Sequence, residues 1–289
     1  MKKATLWIAA AAAAALGLLG ASPASAPSFA YKPVRAEACA HPAYDAAQGT
    51  ALAFGAPGET MSGGVLISPP APKSAAAVLW VHWLGEPATT NHTEFASDAR
   101  ELAKHGVVSL LVDMPWSQQN WFANNRAPAT DYADTIAQVV TLRRALDCLE
   151  TVPGVDTMRI AYVGHDFGAM DGALLLAVDE RPRYAVLVAP TLSFWEWYLL
   201  GRAPADIASY VASMSVFDLP AWLVRGKQSA TLLQFGQNDE YVARATGIAL
   251  RNAMPNRDRT FKSYPTDHAL ESEAVHEDRR AWLLAHLGA

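Results

Sequence analysis

Short apolar runs alternate with longer amphipathic stretches over most of this chain. Residues 75–82 and 107–114 are apolar runs of strand length, and 94–105 between them has the spacing of an amphipathic helix. The clearest helix is 132–149, where Val139, Leu142, Leu146 and Leu149 share one face and Pro153-Gly154 ends the run. Further strands are expected at 158–163, 184–189, 230–236 and 260–264, with helices at 169–177, 241–254 and 274–287. Upstream, 50–54 and 61–68 read as a hairpin joined by a Gly/Pro turn. Such alternation predicts the α/β class, a mostly parallel central sheet with helices on both faces. Right-handed crossovers then bring the strands' C-terminal ends to one edge, where open α/β sheets bind ligands. Only 191–227 breaks the rhythm. It is longer than an ordinary crossover and holds Trp195, Trp197, Tyr198, Tyr210 and Trp222, which predicts a small helical lid.

The first 30 residues follow a different pattern. Lys2 and Lys3 precede an uncharged apolar run over 4–20, and 21–30 is small and rich in Pro and Ser. That is the layout of a secretory signal peptide. A cut after Ala30, with Ser28 at −3, is preferred to one after Ala26, where Pro27 would follow the bond. The expectation is a periplasmic or secreted protein with one domain over 31–289. The net charge of −5 includes Lys2 and Lys3, and no later segment is strongly basic. Nucleic acid and, after signal cleavage, membranes are therefore poor partners, and a small-molecule substrate is the expected one. Cys39 and Cys148 can pair in an oxidising compartment or remain a free thiol and a buried apolar residue.

Candidate chemistry falls at expected strand ends. Gly164-His165-Asp166-Phe167-Gly168 lies between an apolar strand and an apolar helix. Flanking glycines suit a strained turn in which the central residue has no room for side chains beside it. Asp239 follows the strand 230–236, and His268 follows 260–264. An imidazole there can activate water while a carboxylate holds its other nitrogen. Taken singly, these residues are ordinary turn and cap formers. Their order and placement together point to catalysis, with Glu240, Asp267 and Glu271 as rival acids. No phosphate-cradling loop or metal-spaced Cys/His cluster is present, so no cofactor is implied. His276 and His286 read as solvent-facing on the last helix.

The strand–turn–helix around Asp166, followed by an acid and then a histidine, resembles the nucleophile elbow of the α/β-hydrolase superfamily over essentially the whole mature chain. Val81-His82-Trp83-Leu84-Gly85, Val163–Ala169, Phe235-Gly-Gln-Asn-Asp239 and Asp267-His268 are similar to the dienelactone-hydrolase-like branch. By that resemblance, an oxyanion hole would come from the N–H of Phe167 and one from Trp83 or Leu84. Dienelactone hydrolases carry a cysteine at the elbow. Asp166 instead resembles the nucleophile of haloalkane dehalogenases and epoxide hydrolases, where the carboxylate attacks an sp³ carbon and water hydrolyses the resulting ester. Their large cap is replaced here by the modest 191–227 insertion, and the dehalogenases' indole after the nucleophile is Phe167. Trp116, Trp121, Phe122, Trp195, Trp197 and Tyr198 are expected to line an apolar pocket. Two hydrolytic outcomes stay open, ester or lactone hydrolysis and halide or epoxide cleavage. The alternative is a binding protein on a hydrolase scaffold.

Overall fold

A computed structural model describes residues 26–33, 39, 44–45, 49–55, 62–85, 90–255 and 257–289. Residues 1–25 of the expected signal peptide and most of the hairpin turn after residue 55 lie outside them. The described strands are β1 (Tyr44–Asp45), β2 (Gly49–Phe54), β3 (Ser62–Ile67), β4 (Ala75–Val81), β5 (Val108–Asp113), β6 (Val155–His165), β7 (Pro182–Val188), β8 (Ala230–Gly236) and β9 (Asp258–Tyr264). They form one sheet in the order β1-β2-β3-β5-β4-β6-β7-β8-β9. The hairpin expected from the sequence is β2–β3, pairing Phe54 with Ser62 and running antiparallel onto β5. From β5 to β9 every pairing is parallel. All seven side chains of β4 are buried, as expected for a strand covered on both faces.

The crossover helices are α1 (Ala96–Lys104), α2 (Asp131–Thr151), α3 (Phe167–Val178) and α7 (Arg244–Ala253), and α8 (Glu273–Leu287) follows the last strand. One core layer packs α2 and α3 on the sheet through Leu142, Leu146, Tyr162 and Leu174, and the opposite layer packs α1 and α8 through Leu102, Val163, Val186 and Leu283. His276 and His286 are not simply solvent-facing. His276 meets buried Asp98 of α1 beside Arg279 and Arg280, and His286 stacks on Trp282 at 4.0 Å. The 191–227 insertion forms three short helices, α4 (Phe194–Tyr198), α5 (Ile207–Met214) and α6 (Leu219–Leu223). Ser193 and Glu196 form a capping box that starts α4.

Long-range ties join the N-terminal arm to this body, among them the Tyr31 hydroxyl, which donates to Asp147 at 2.7 Å. Cys39 and Cys148 form a disulfide across 109 residues, closing the choice that the sequence left open. Phe29 is buried, with its ring edge-on to Trp222 at 5.3 Å and its carbonyl accepting from Arg143 at 2.9 Å. A cut after Ala30, as the sequence leads one to expect, would remove Phe29 with the leader. Removing Phe29 would strip an aromatic ring and a buried carbonyl from the core.

Candidate active site

The parallel register carries β4, β6, β8 and β9 to the same edge, and the loops leaving them hold the candidate residues. Asp166 joins β6 to α3 with φ 52° and ψ −113°, a left-handed conformation that costs energy for any residue with a Cβ. Tight packing imposes it. A Cβ on Gly164 would lie 2.4 Å from the carbonyl of Gly168, and one on Gly168 would lie 2.4 Å from that of Val81. The Asp166 N–H donates to Val188 of β7 at 2.9 Å, and the Tyr162 hydroxyl donates to Gly168 at 2.5 Å.

Asp166 is 1 % exposed, and its two oxygens have different fates. Oδ2 accepts the N–H of Leu84 at 3.1 Å. Oδ1 is buried with no partner. Burial pushes the carboxyl up to about 7; Glu94 and Asp239 add to the rise, and His268 and the Leu84 N–H oppose it.

His268 donates Nδ1–H to Oδ2 of Asp239 at 2.8 Å. The other Asp239 oxygen accepts the N–H groups of Tyr241 and Val242, so the acid is held on both sides. Of the rival acids, Asp267 only caps Ala269 in its own loop. Burial disfavours charge on His268, yet the Asp239 bond and nearby Asp166 outweigh it and raise the pKa above the ordinary histidine value. The same pairing holds Asp239 below the usual carboxylate range despite its burial. With Nδ1 committed, Nε2 is the basic atom, and it is buried without a partner. The imidazole is boxed in by Trp83, His165, Trp197 and Tyr241, all with ring centroids within 5.6 Å.

The loop after β4 is held by His82, which donates to the carbonyl of Trp83 and accepts the N–H of Met114. Burial lowers its pKa, in keeping with a neutral ring that both donates and accepts. The sequence left the second oxyanion donor open between Trp83 and Leu84, and the two amides differ here. The Trp83 N–H is spent on Oε2 of Glu94 at 2.8 Å, and only Leu84 turns its N–H toward Asp166. Phe167 opens α3, so its N–H has no acceptor one turn back in the helix.

A cavity of about 520 Å³ adjoins these groups, lined by Trp83, Leu84, Gly85, Phe122, Trp197, Leu200, Tyr241 and His268. Phe122 and Trp197 are therefore where the aromatic pattern placed them. Trp116 and Tyr198 are not pocket residues. Both are fully buried beneath the site, packed on Phe167, with the Trp116 indole donating to His82. Trp121 is buried against Trp116 and Phe167, and Trp195 packs against the core; neither lines this cavity. Leu200 and Tyr241 were missed, because their loops lack an apolar period to mark them. Glu94 and His165 were missed too, although a histidine inside the elbow motif was a visible signal. Among the described residues, no group of His, Cys, Asp or Glu could hold a metal ion, and no helix is long and apolar enough to cross a membrane.

No protein-family model and no curated protein matches the chain. Solved structures do. Acetyl xylan esterase 1 from Thermoanaerobacterium sp. JW/SL YS485 superposes with TM-score 0.67 at 16% identity, covering 90% of this chain and 89% of its own. Est1E from Butyrivibrio proteoclasticus gives 0.65 at 15% identity, covering 83% and 99%. The acetyl xylan esterase from Paenibacillus sp. R4 gives 0.64 at 18% identity, covering 82% and 83%. At these identities the likeness establishes the α/β-hydrolase fold.

Proposed function

We propose that the protein is an exported hydrolase of a small, fairly apolar substrate, with Asp166 as nucleophile, His268 as base and Asp239 as the acid that supports it. The observation that carries this reading is the unequal treatment of the Asp166 oxygens. Oδ2 is pinned by the Leu84 N–H, Oδ1 and the His268 Nε2 are both buried without partners, and Leu84 and His268 line the cavity. That arrangement suits a carboxylate attacking an sp³ carbon. Oδ1 forms a bond to carbon as the halide leaves or the epoxide C–O bond opens, and Oδ2 becomes the carbonyl oxygen of an alkyl ester. The Leu84 N–H, with that of Phe167, polarises this carbonyl. His268 Nε2 takes a proton from water, the hydroxide adds to the ester carbon, and collapse expels Oδ1 with the alkyl group as the alcohol, protonated by the His268 imidazolium. Asp239 stabilises the imidazolium formed on the way.

The ester chemistry named for the fold neighbours supports a second reading, ester or lactone hydrolysis with Asp166 positioning water. It requires the substrate oxyanion to displace Asp166 from the Leu84 N–H, so the geometry favours carbon–halogen or epoxide cleavage. The Cys39–Cys148 disulfide supports the exported reading, since such bonds persist in oxidising compartments.

The test is turnover of a panel of alkyl halides, epoxides, lactones and aryl esters, then a single turnover of any substrate found in ¹⁸O-water. Attack by Asp166 puts unlabelled oxygen in the product and label in the Asp166 peptide. Label in the product from the first turnover, with that peptide unlabelled, selects the water-positioning reading. Retention of full turnover by Asp166→Ala removes both readings of Asp166, whereas no turnover of any member of the panel favours a binding scaffold.

A further inference from the structure

Glu94 stands outside the proposed triad, yet it contacts one flanking loop directly and the other through His165. Its Oε2 accepts the N–H of Trp83 at 2.8 Å, one residue before the amide that holds Asp166. Its Oε1 lies 2.8 Å from Nδ1 of His165, whose Nε2 lies 3.0 Å from the backbone carbonyl of His268. A carbonyl oxygen only accepts, so Nε2 of His165 carries a proton. Burial lowers the pKa of the His165 imidazole, and Glu94 beside it opposes the fall. The Trp83 indole stacks on His165 at 5.3 Å and 15°, closing the unit. These contacts join residues 71 and 103 positions apart in the chain.

We propose that Glu94 is a positioning residue. Through Trp83 it fixes the Leu84 amide, and through His165 it fixes the His268 backbone, so one carboxylate keeps the two loops in register across Asp166. The coupling of the loops stands on these contacts alone; its effect on turnover rests on the hydrolase reading above.

Amide hydrogen exchange tests the coupling without a substrate, using the full-length protein and its Glu94→Ala and Glu94→Gln variants. Glutamine can accept from Trp83 and donate to an unprotonated His165 Nδ1, preserving both links. In Glu94→Ala, exchange at Leu84 is expected to accelerate about tenfold or more, the scale of one lost charge-assisted hydrogen bond. Exchange at Val163 in β6 stays at the wild-type rate, and Glu94→Gln restores the protection of Leu84. With phenyl acetate and styrene oxide as probes, kcat falls on the order of 10- to 100-fold in Glu94→Ala with little change in KM, and recovers in Glu94→Gln. Unchanged Leu84 exchange in Glu94→Ala overturns the proposal, and so does equal acceleration at Val163, which would mean general loosening. If the wild type turns over neither probe, the hydrolase reading fails on these substrates while exchange still decides the role of Glu94.

Discussion

Asp171 lies on α3, one turn beyond the elbow, fully buried, and neither carboxylate oxygen has a hydrogen-bond partner. Burial alone drives its pKa well above the ordinary carboxylate value. The folded protein therefore keeps a proton that the unfolded chain gives up above about pH 3.9. For an acid with a raised folded pKa, folding is penalised as pH rises, because the folded state binds more protons than the unfolded one. Asp171→Asn removes the titration while nearly preserving shape. At pH 3 and below, both chains bury a neutral polar group, and their stabilities should agree within about 1 kcal/mol. Above the unfolded value, the variant should gain on the wild type by about 1.4 kcal/mol per pH unit until the folded pKa is reached. Urea unfolding of both proteins at half-unit intervals from pH 3 to 8 measures the difference directly, and shifts common to both chains cancel. A difference that does not change with pH would refute the reasoning, since it would mean that Asp171 ionises in the fold about as easily as in the unfolded chain.

On any confirmed substrate, kcat/KM should rise with pH through about 7, because burial holds Asp166 protonated below that value and attack needs the carboxylate; a profile flat from pH 5 to 8 would exclude Asp166 as nucleophile. Asp239→Asn should lower kcat on the order of 10⁴-fold with little effect on KM, since an amide cannot support the imidazolium, and His268→Ala should trap an alkyl-enzyme as a mass increase if Asp166 attacks carbon. Cys148→Ala, which opens the cross-link spanning 109 residues, should cost up to about 4–5 kcal/mol in denaturant unfolding; a loss below about 1 kcal/mol would mean that the link does not constrain the unfolded chain. N-terminal sequencing of protein exported from its host should begin upstream of Phe29, and Phe29→Ala should cost roughly 3 kcal/mol. A mature chain beginning at Tyr31 with undiminished stability would contradict the packing of that ring.

Local patterning determined much of this protein. Apolar runs and helical spacing are properties of neighbouring residues, so β4 to β9, their four crossover helices and the closing helix were legible within a few positions. The elbow was legible for the same reason, since Gly164 and Gly168 report a backbone need arising within five residues. That Asp166, Asp239 and His268 stand at strand ends followed from the alternation alone. Tertiary structure decided which groups meet. The Leu84 amide reaches Asp166 across 82 residues, Asp239 rather than Asp267 receives His268, and Phe29 hands its carbonyl to Arg143 across 114. Composition predicted an aromatic pocket, but packing sent Phe122 and Trp197 to the cavity and Trp116 and Tyr198 into the core beneath it. No periodicity carries such choices, because a side chain's partner depends on the crossing of distant segments. The Trp83 amide shows this most plainly. The residue sits where the motif places it, yet its hydrogen bond goes to Glu94, a partner defined only once α1 packs against the sheet.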